Sequence, residues 1–175
     1  MNDPFETLGI EPKFDLDFKA VEARHRELSR ALHPDRYAQA PAAERRMALS
    51  RAIEVNEAWR AVRDPIKRAE ALFHRLGVSH GETAEPNPST DLLMEMMEAR
   101  EELSDAARAK NMEAVHNLYL KMSLREREVL SALGRGFAEA HSSEAARKLI
   151  HYLGELRYLR RFLDEVSAIE EAALH

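Results

Sequence analysis

A chain of 175 residues, 45% apolar and 33% charged, has room for one medium domain or two small ones with real cores. It contains no cysteine, which excludes disulfides, thiolate nucleophiles, zinc fingers and cysteine-held clusters built by this chain itself. Its net charge of −5 is uneven: residues 1–76 carry fourteen Lys and Arg against thirteen Asp and Glu, whereas 77–175 carry twelve against eighteen, which argues against a broad nucleic-acid-binding face.

Residues 1–10 have neither a basic start nor an apolar run, so no secretory signal is expected, and no run of eighteen apolar residues suggests a membrane span. With no cysteine, the chain suits a reducing compartment, and a cytoplasmic address is expected. Ala, Leu, Glu and Arg dominate, and no stretch alternates apolar and polar residues beside hairpin turn signals. The pattern predicts an all-α fold.

In chain order, Asp3-Pro4 opens a short helix that Gly9 ends. A second helix is predicted from about Asp15, as its cap, to Leu32, where Pro34 stops it. A third begins near Pro41 and runs to about Arg63. Asp64-Pro65 caps and starts a fourth, to about Leu76. Residues 77–90 gather Gly, Pro, Ser, Thr and Asn and read as a linker, with Gly77 suited to a helix C-terminus and Ser89, Thr90 or Asp91 able to cap the next helix. Beyond it, helices at about 91–109, 112–134 and 143–172, capped by Asn111 and Ser142 or Ser143, predict three antiparallel helices. The expected domains are therefore 1–76 and 91–175, joined by 77–90.

The second helix has two unlike faces. Val21, His25, Leu28 and Leu32 fall within about 60° of one another, while Lys19, Arg26 and Arg30 cluster nearly opposite as a basic ridge. That ridge leads to His33-Pro34-Asp35, followed by Arg36. By itself such a tripeptide is a helix stop beside a solvated charged face. At the end of an amphipathic basic helix, some six residues before another long helix, it becomes the tip of a helical hairpin.

This arrangement resembles the J domain across 1–76. The opening Asp3-Pro4-Phe5-Glu6-Thr7-Leu8-Gly9-Ile10 is similar to that domain's start, with Phe5 and Leu8 as apolar anchors. Asn56-Glu57-Ala58-Trp59, Asp64-Pro65 and Arg68-Ala69-Glu70 resemble the HscB type, the J-domain co-chaperones of iron–sulfur cluster assembly. Leu92-Leu93-Met94-Glu95 and Arg100-Glu101-Glu102-Leu103 resemble the start of that family's C-terminal domain. The resemblance implies that His33, Pro34 and Asp35 contact an HscA-type heat-shock ATPase, with complementary charge from Lys19, Arg26, Arg30 and Arg36. Arg36 stands where many J domains have lysine, and His25 and Leu32 where aromatics are common.

The predicted helix from 91 has more apolar residues than one seam needs. Leu92, Met96, Ala99, Leu103 and Ala106 follow 4-3-4-3 spacing. Leu93, Met94 and Met97 lie off that stripe. In the last helix, Leu149, Tyr152, Leu156, Leu159, Leu163 and Val166 form a near-heptad stripe, leaving Tyr158 and Phe162 off it. The surplus reads either as wide buried faces or as one partner-binding patch, for which methionine's adaptable side chain is suited. Burying four such groups supplies roughly 6–10 kcal/mol gross, compatible with micromolar binding after association costs. The HscB resemblance assigns Leu93, Met94, Met97, Glu98, Glu101 and Tyr158 to docking an IscU-type iron–sulfur scaffold.

Rival readings are weaker. Glu22/His25 and Glu113/His116 have the Glu-x-x-His spacing of di-iron bundles, but they fall in different expected domains. No metal site and no cofactor are expected. His33 and Asp35 project from a loop with no cleft to exclude water, so the chain is not read as an enzyme. A DNA-binding module is disfavoured by the acidic second half, and a different client for the second domain stays open.

Overall fold

The Asp3 carboxylate accepts hydrogen bonds from the N–H groups of Phe5, at 2.9 Å, and Glu6, and so starts helix α1 (Pro4–Leu8), which Gly9 ends in the left-handed conformation at φ 65°. The same carboxylate pairs with Arg75, which also reaches Glu6 at 3.1 Å. The hydrogen bond that Arg75 donates to Asp3 raises the Arg75 pKa above its ordinary value. One acidic side chain thus caps a helix and ties two distant segments together.

The computed structural model describes residues 3–81 and 88–173, and the chain divides into two compact units, Met1–Gly77 and Val78–His175. Among the described residues there is no strand, and no helix is long and apolar enough to cross a membrane. Part of the expected linker, residues 82–87, lies outside the described residues.

In the first unit, α1 is followed by α2 (Phe18–Ala31), α3 (Ala42–Arg63) and α4 (Pro65–Arg75). Helices α2 and α3 form the expected hairpin, and α3 is the centre on which α1, α2 and α4 all pack. Phe5, Leu8, Val62, Ala69 and Phe73 are completely buried. Full burial of each large apolar side chain contributes about 1.5–3 kcal/mol.

The cap of α2 differs from expectation. Asp17, not Asp15, accepts from the N–H groups of Lys19 and Ala20, at 3.0 and 3.2 Å. The reason is non-local. Phe14 is buried and Phe18 opens the helix, and the Arg68 guanidinium lies 4.6 and 5.1 Å from their ring centres. Arg68 also donates to the Val62 carbonyl at 2.7 Å, at the end of α3. Burial lowers its pKa, against the attraction of Asp15 and Asp64. Holding both phenylalanines against one arginine displaces the helix start to residue 18.

In the second unit, α5 (Thr90–Arg108), α6 (Met112–Glu139) and α8 (Ile150–Ala173) form the expected three-helix bundle, with a short α7 (Ser143–Arg147) before the last. Ser89, Asn111 and Ser142 cap α5, α6 and α7. Ion pairs set the helix directions. His116 meets Glu170 at 3.2 Å, Arg125 meets Glu155 at 2.7 Å, and Glu126 pairs with Arg160. As numbers rise along α6 they fall along α8, so those helices are antiparallel. A three-residue link makes α5 antiparallel to α6, and hence parallel to α8.

Three expectations for this unit are corrected. The single helix expected over 143–172 breaks at Lys148 and Leu149, whose N–H groups bond three residues back, to Ala145 and Ala146, instead of four. Helix α6 continues past Gly134 to Glu139, although each glycine costs a helix about 1 kcal/mol. Gly134 is buried, and a Cβ on Gly136 would collide with the Leu149 side chain. Packing therefore outweighs propensity. On α8, Phe162 and Leu153 are fully buried, whereas Tyr152 of the expected stripe, and Leu149 just before the helix, are only half-buried. Helix α8 packs on both α5 and α6, so its buried face is wider than one seam.

Candidate partner-binding sites

Helix α2 closes as the Leu32 N–H reaches back to the Leu28 carbonyl at 3.0 Å. Pro34 cannot donate a further helical hydrogen bond, and its fixed φ starts a 3₁₀ turn over Pro34–Tyr37. The turn is tied internally. Arg36 N–H donates to the His33 carbonyl at 3.0 Å and Ala40 N–H to the Tyr37 carbonyl, also at 3.0 Å. His33 Nδ1 accepts a long 3.4 Å bond from the Asp35 N–H and lies 3.5 Å from the Asp35 carboxylate. Nδ1 is thus turned toward Asp35, and Nε2 is the ring nitrogen that the turn does not use. His33, Pro34, Asp35 and Arg36 are all exposed. The expected loop is thus an ordered turn that presents an imidazole and a carboxylate to solvent.

Lys19, Arg26 and Arg30 are exposed along α2. Arg26 lies 3.7 Å from Glu22, and Arg30 Nε donates to the Arg26 carbonyl at 3.3 Å. On the opposite face Val21 is buried, and His25 stacks on Trp59 with ring centres 5.2 Å apart. His25 Nε2 lies 3.0 Å from Asn56 Oδ1, which commits this ring to the α2–α3 seam. The ridge therefore lies on the face of α2 away from the α2–α3 seam, and the tripeptide follows where that helix ends.

The second candidate site lies on α5. Leu92, Met96, Ala99, Leu103 and Ala106 are buried, whereas Leu93, Met94 and Met97 are 39%, 56% and 72% exposed. Glu98 and Glu101 are exposed beside them. Arg100 reaches Glu165 of α8 at 3.2 Å. Because α5 and α8 run parallel, moving seven residues back along both sets Tyr158 level with Leu93. Tyr158 is half-buried, and the Arg161 guanidinium lies 6.0 Å from its ring centre. Phe162, expected as a second aromatic of this patch, is fully buried and belongs to the core. Below the patch, Arg125 bonds Glu155, which raises the Arg125 pKa.

The two Glu-x-x-His pairs are separated, Glu22/His25 in the first unit and Glu113/His116 in the second. His116 is held by Glu170 and stacks on Tyr119 at 6.0 Å. Among the described residues, no three His, Asp or Glu side chains are grouped as metal ligands.

Sequence reasoning passed over two exposed apolar pairs, Leu49 and Ile53 on α3 and Leu120 and Leu124 on α6. Each pair has i, i+4 spacing on the side opposite a buried stripe, which is the signal that would have found it.

Comparison with known proteins gives concordant results. Residues 88–167 match a family model described as the HSCB C-terminal oligomerisation domain. A protein of Burkholderia mallei named co-chaperone protein HscB homolog is 34% identical over 173 residues, covering 98% of this chain and 95% of its own. One of the same name from Burkholderia multivorans is 35% identical over 166 residues, covering 94% and 91%. Among solved structures, the chaperone HscB from Vibrio cholerae superposes with a TM-score of 0.85 at 26% identity, covering 98% of this chain and 99% of that one. Human co-chaperone protein HscB superposes at 0.86 with 19% identity, covering 97% and 83%, a likeness of fold alone.

Proposed function

We propose, from the premise that this chain belongs to the HscB family of co-chaperones, that it stimulates an HscA-type heat-shock ATPase and brings it an IscU-type iron–sulfur scaffold. Residues 1–76 act as the J domain, 77–90 as the linker, and 91–175 as the scaffold-binding domain. The observation that carries this reading is the ordered, exposed turn at His33-Pro34-Asp35, at the end of a helix that carries a basic ridge. Residues that served only to stop a helix would need no such turn.

In this reading, the His33 imidazole and the Asp35 carboxylate are offered at fixed positions, and Pro34 holds the backbone between them. Lys19, Arg26, Arg30 and Arg36 steer the approach of an acidic surface, each exposed pair contributing about 0–1 kcal/mol. ATP hydrolysis belongs to the partner, and this chain supplies no catalytic group or cofactor.

Leu93, Met94 and Met97 form the apolar centre of the scaffold site, with Tyr158 at its edge and Glu98 and Glu101 setting register. Their exposure supports the assignment, because three large apolar side chains in adjacent turns of one helix call for a partner. The scaffold would be handed over at the moment ATP hydrolysis tightens the chaperone's grip on it.

A steady-state ATPase assay of an HscA-type chaperone, with and without scaffold, tests this reading for the wild type and His33→Gln. The wild type should accelerate hydrolysis, the more so with scaffold present, and the variant should not. Equal stimulation by both would refute the role of the turn. Stimulation without any scaffold binding would point instead to a different client.

A further inference from the structure

The chain has seven methionines and no cysteine, so thioethers are its only sulfur. Three of the seven stand on one short stretch of α5, and their environments differ sharply. Met94 and Met97 are exposed, whereas Met96 between them is 4% exposed, and Met122 on α6 is fully buried. An oxidant in solution meets the first two sulfurs directly and is kept from the others by packing. Met94 and Met97 lie in the face that includes Leu93 and Tyr158, whereas Met47, also exposed, stands on α3 in the first unit.

We propose that Met94 and Met97 are a paired oxidation site, at which conversion of the thioethers to sulfoxides by a peroxide-class oxidant releases the scaffold. The proposal rests on the reading of this face as the scaffold-docking surface. In each conversion a sulfur lone pair attacks a peroxide oxygen. The O–O bond breaks, an S–O bond forms, and the second oxygen leaves as water once it has taken up the proton. Sulfur loses two electrons and the peroxide gains them.

The product carries a strong hydrogen-bond acceptor where docking requires an apolar tip, and burying it without a donor opposes binding. Because both side chains project from the bundle, the core is untouched. A thiol-dependent methionine sulfoxide reductase restores the thioether, the oxygen leaving as water while two thiols become a disulfide. The switch is therefore reversible and separate from the turn at His33.

The test uses the full chain carrying Met47→Leu, since Met47 on α3 is 65% exposed and would otherwise oxidise too. The protein is treated with hydrogen peroxide, mapped by peptide mass spectrometry and titrated with an IscU-type scaffold. The expected result is one added oxygen on Met94 and on Met97, with Met96 and Met122 spared. Scaffold affinity should fall about tenfold or more, as it would if one large apolar side chain were no longer buried on docking. Scaffold-independent ATPase stimulation should not change, and sulfoxide reductases should restore binding. With Met94→Leu and Met97→Leu added, the affinity the variant shows before treatment, whatever its value, should be the same after it. Sulfoxides formed with unchanged affinity would overturn the proposal, as would oxidation of Met96 at the same rate or an equal fall in affinity in the leucine variant. If the untreated chain did not bind scaffold, the docking reading would fall first, and the switch with it.

Discussion

Met96 and Met97 are adjacent in sequence, yet alanine should affect them in opposite ways. Met96 is 4% exposed and Met97 72%, because one residue is a 100° turn around α5. Met96→Ala removes core volume and should cost about 2–5 kcal/mol, as buried large-to-small changes do. Met97→Ala removes little from the folded chain, and alanine's slightly better helix propensity offsets that small cost. Its stability should stay within about 0.5 kcal/mol of wild type. In scaffold binding the order reverses. Full burial of a methionine is worth about 1.5–3 kcal/mol, of which roughly three quarters remains available at Met97. Allowing for the methyl that alanine retains, binding should weaken by about 1 kcal/mol, or roughly fivefold in Kd. Denaturant melts measure the first quantity and calorimetric titration with the scaffold the second. If Met97→Ala melted as early as Met96→Ala, or bound scaffold as well as wild type, the step from exposure to docking would be refuted.

Two further outcomes follow from the first unit. Stimulation of the ATPase should weaken as salt rises from 0.05 to 0.5 M, and Arg26→Ala with Arg30→Ala should flatten that dependence while leaving scaffold affinity unchanged, checked by rate measurements at each salt concentration; the Debye length falls below about 10 Å over this range. Asp17→Ala should destabilise the first unit by about 1 kcal/mol through loss of the α2 cap, seen as a lowered denaturation midpoint. Asp15→Ala should cost less, because Asp15 caps nothing and acts on Arg68 only through its charge.

The fold was most legible where one physical signal settles an element. Asp3-Pro4 with Gly9, and Asp64-Pro65, bound helices that need no tertiary information, and the five-residue stripe from Leu92 to Ala106 was buried as its spacing predicts. Legibility failed where distant packing decides. Two aspartates two residues apart compete to cap α2, and the choice depends on how Phe14 and Phe18 meet Arg68, more than forty residues away. Gly134 and Gly136 read as a stop signal, but a glycine that admits Leu149 is worth more to the bundle than its propensity costs. Phe162 was misplaced because a heptad describes one neighbour and α8 has two. For the binding faces, spacing could say which residues leave the stripe but not which of those a second neighbour covers. Leu93, Met94 and Met97 are exposed as expected, and Phe162 is not.

The turn at Pro34–Tyr37 has a kinetic consequence. Fixing one backbone residue costs about 1–2 kcal/mol in entropy, and in this chain the four residues of the turn are already held by their own hydrogen bonds before any partner arrives. Under the proposed function, contact with the ATPase would then need little ordering at the tip, so a small footprint could be selective without being adhesive. A co-chaperone must leave after each hydrolysis event if one molecule is to serve many chaperones. On that proposal, rigidity at the tip would let recognition be fast in both directions, and turnover, rather than affinity, would be the quantity that the loop favours.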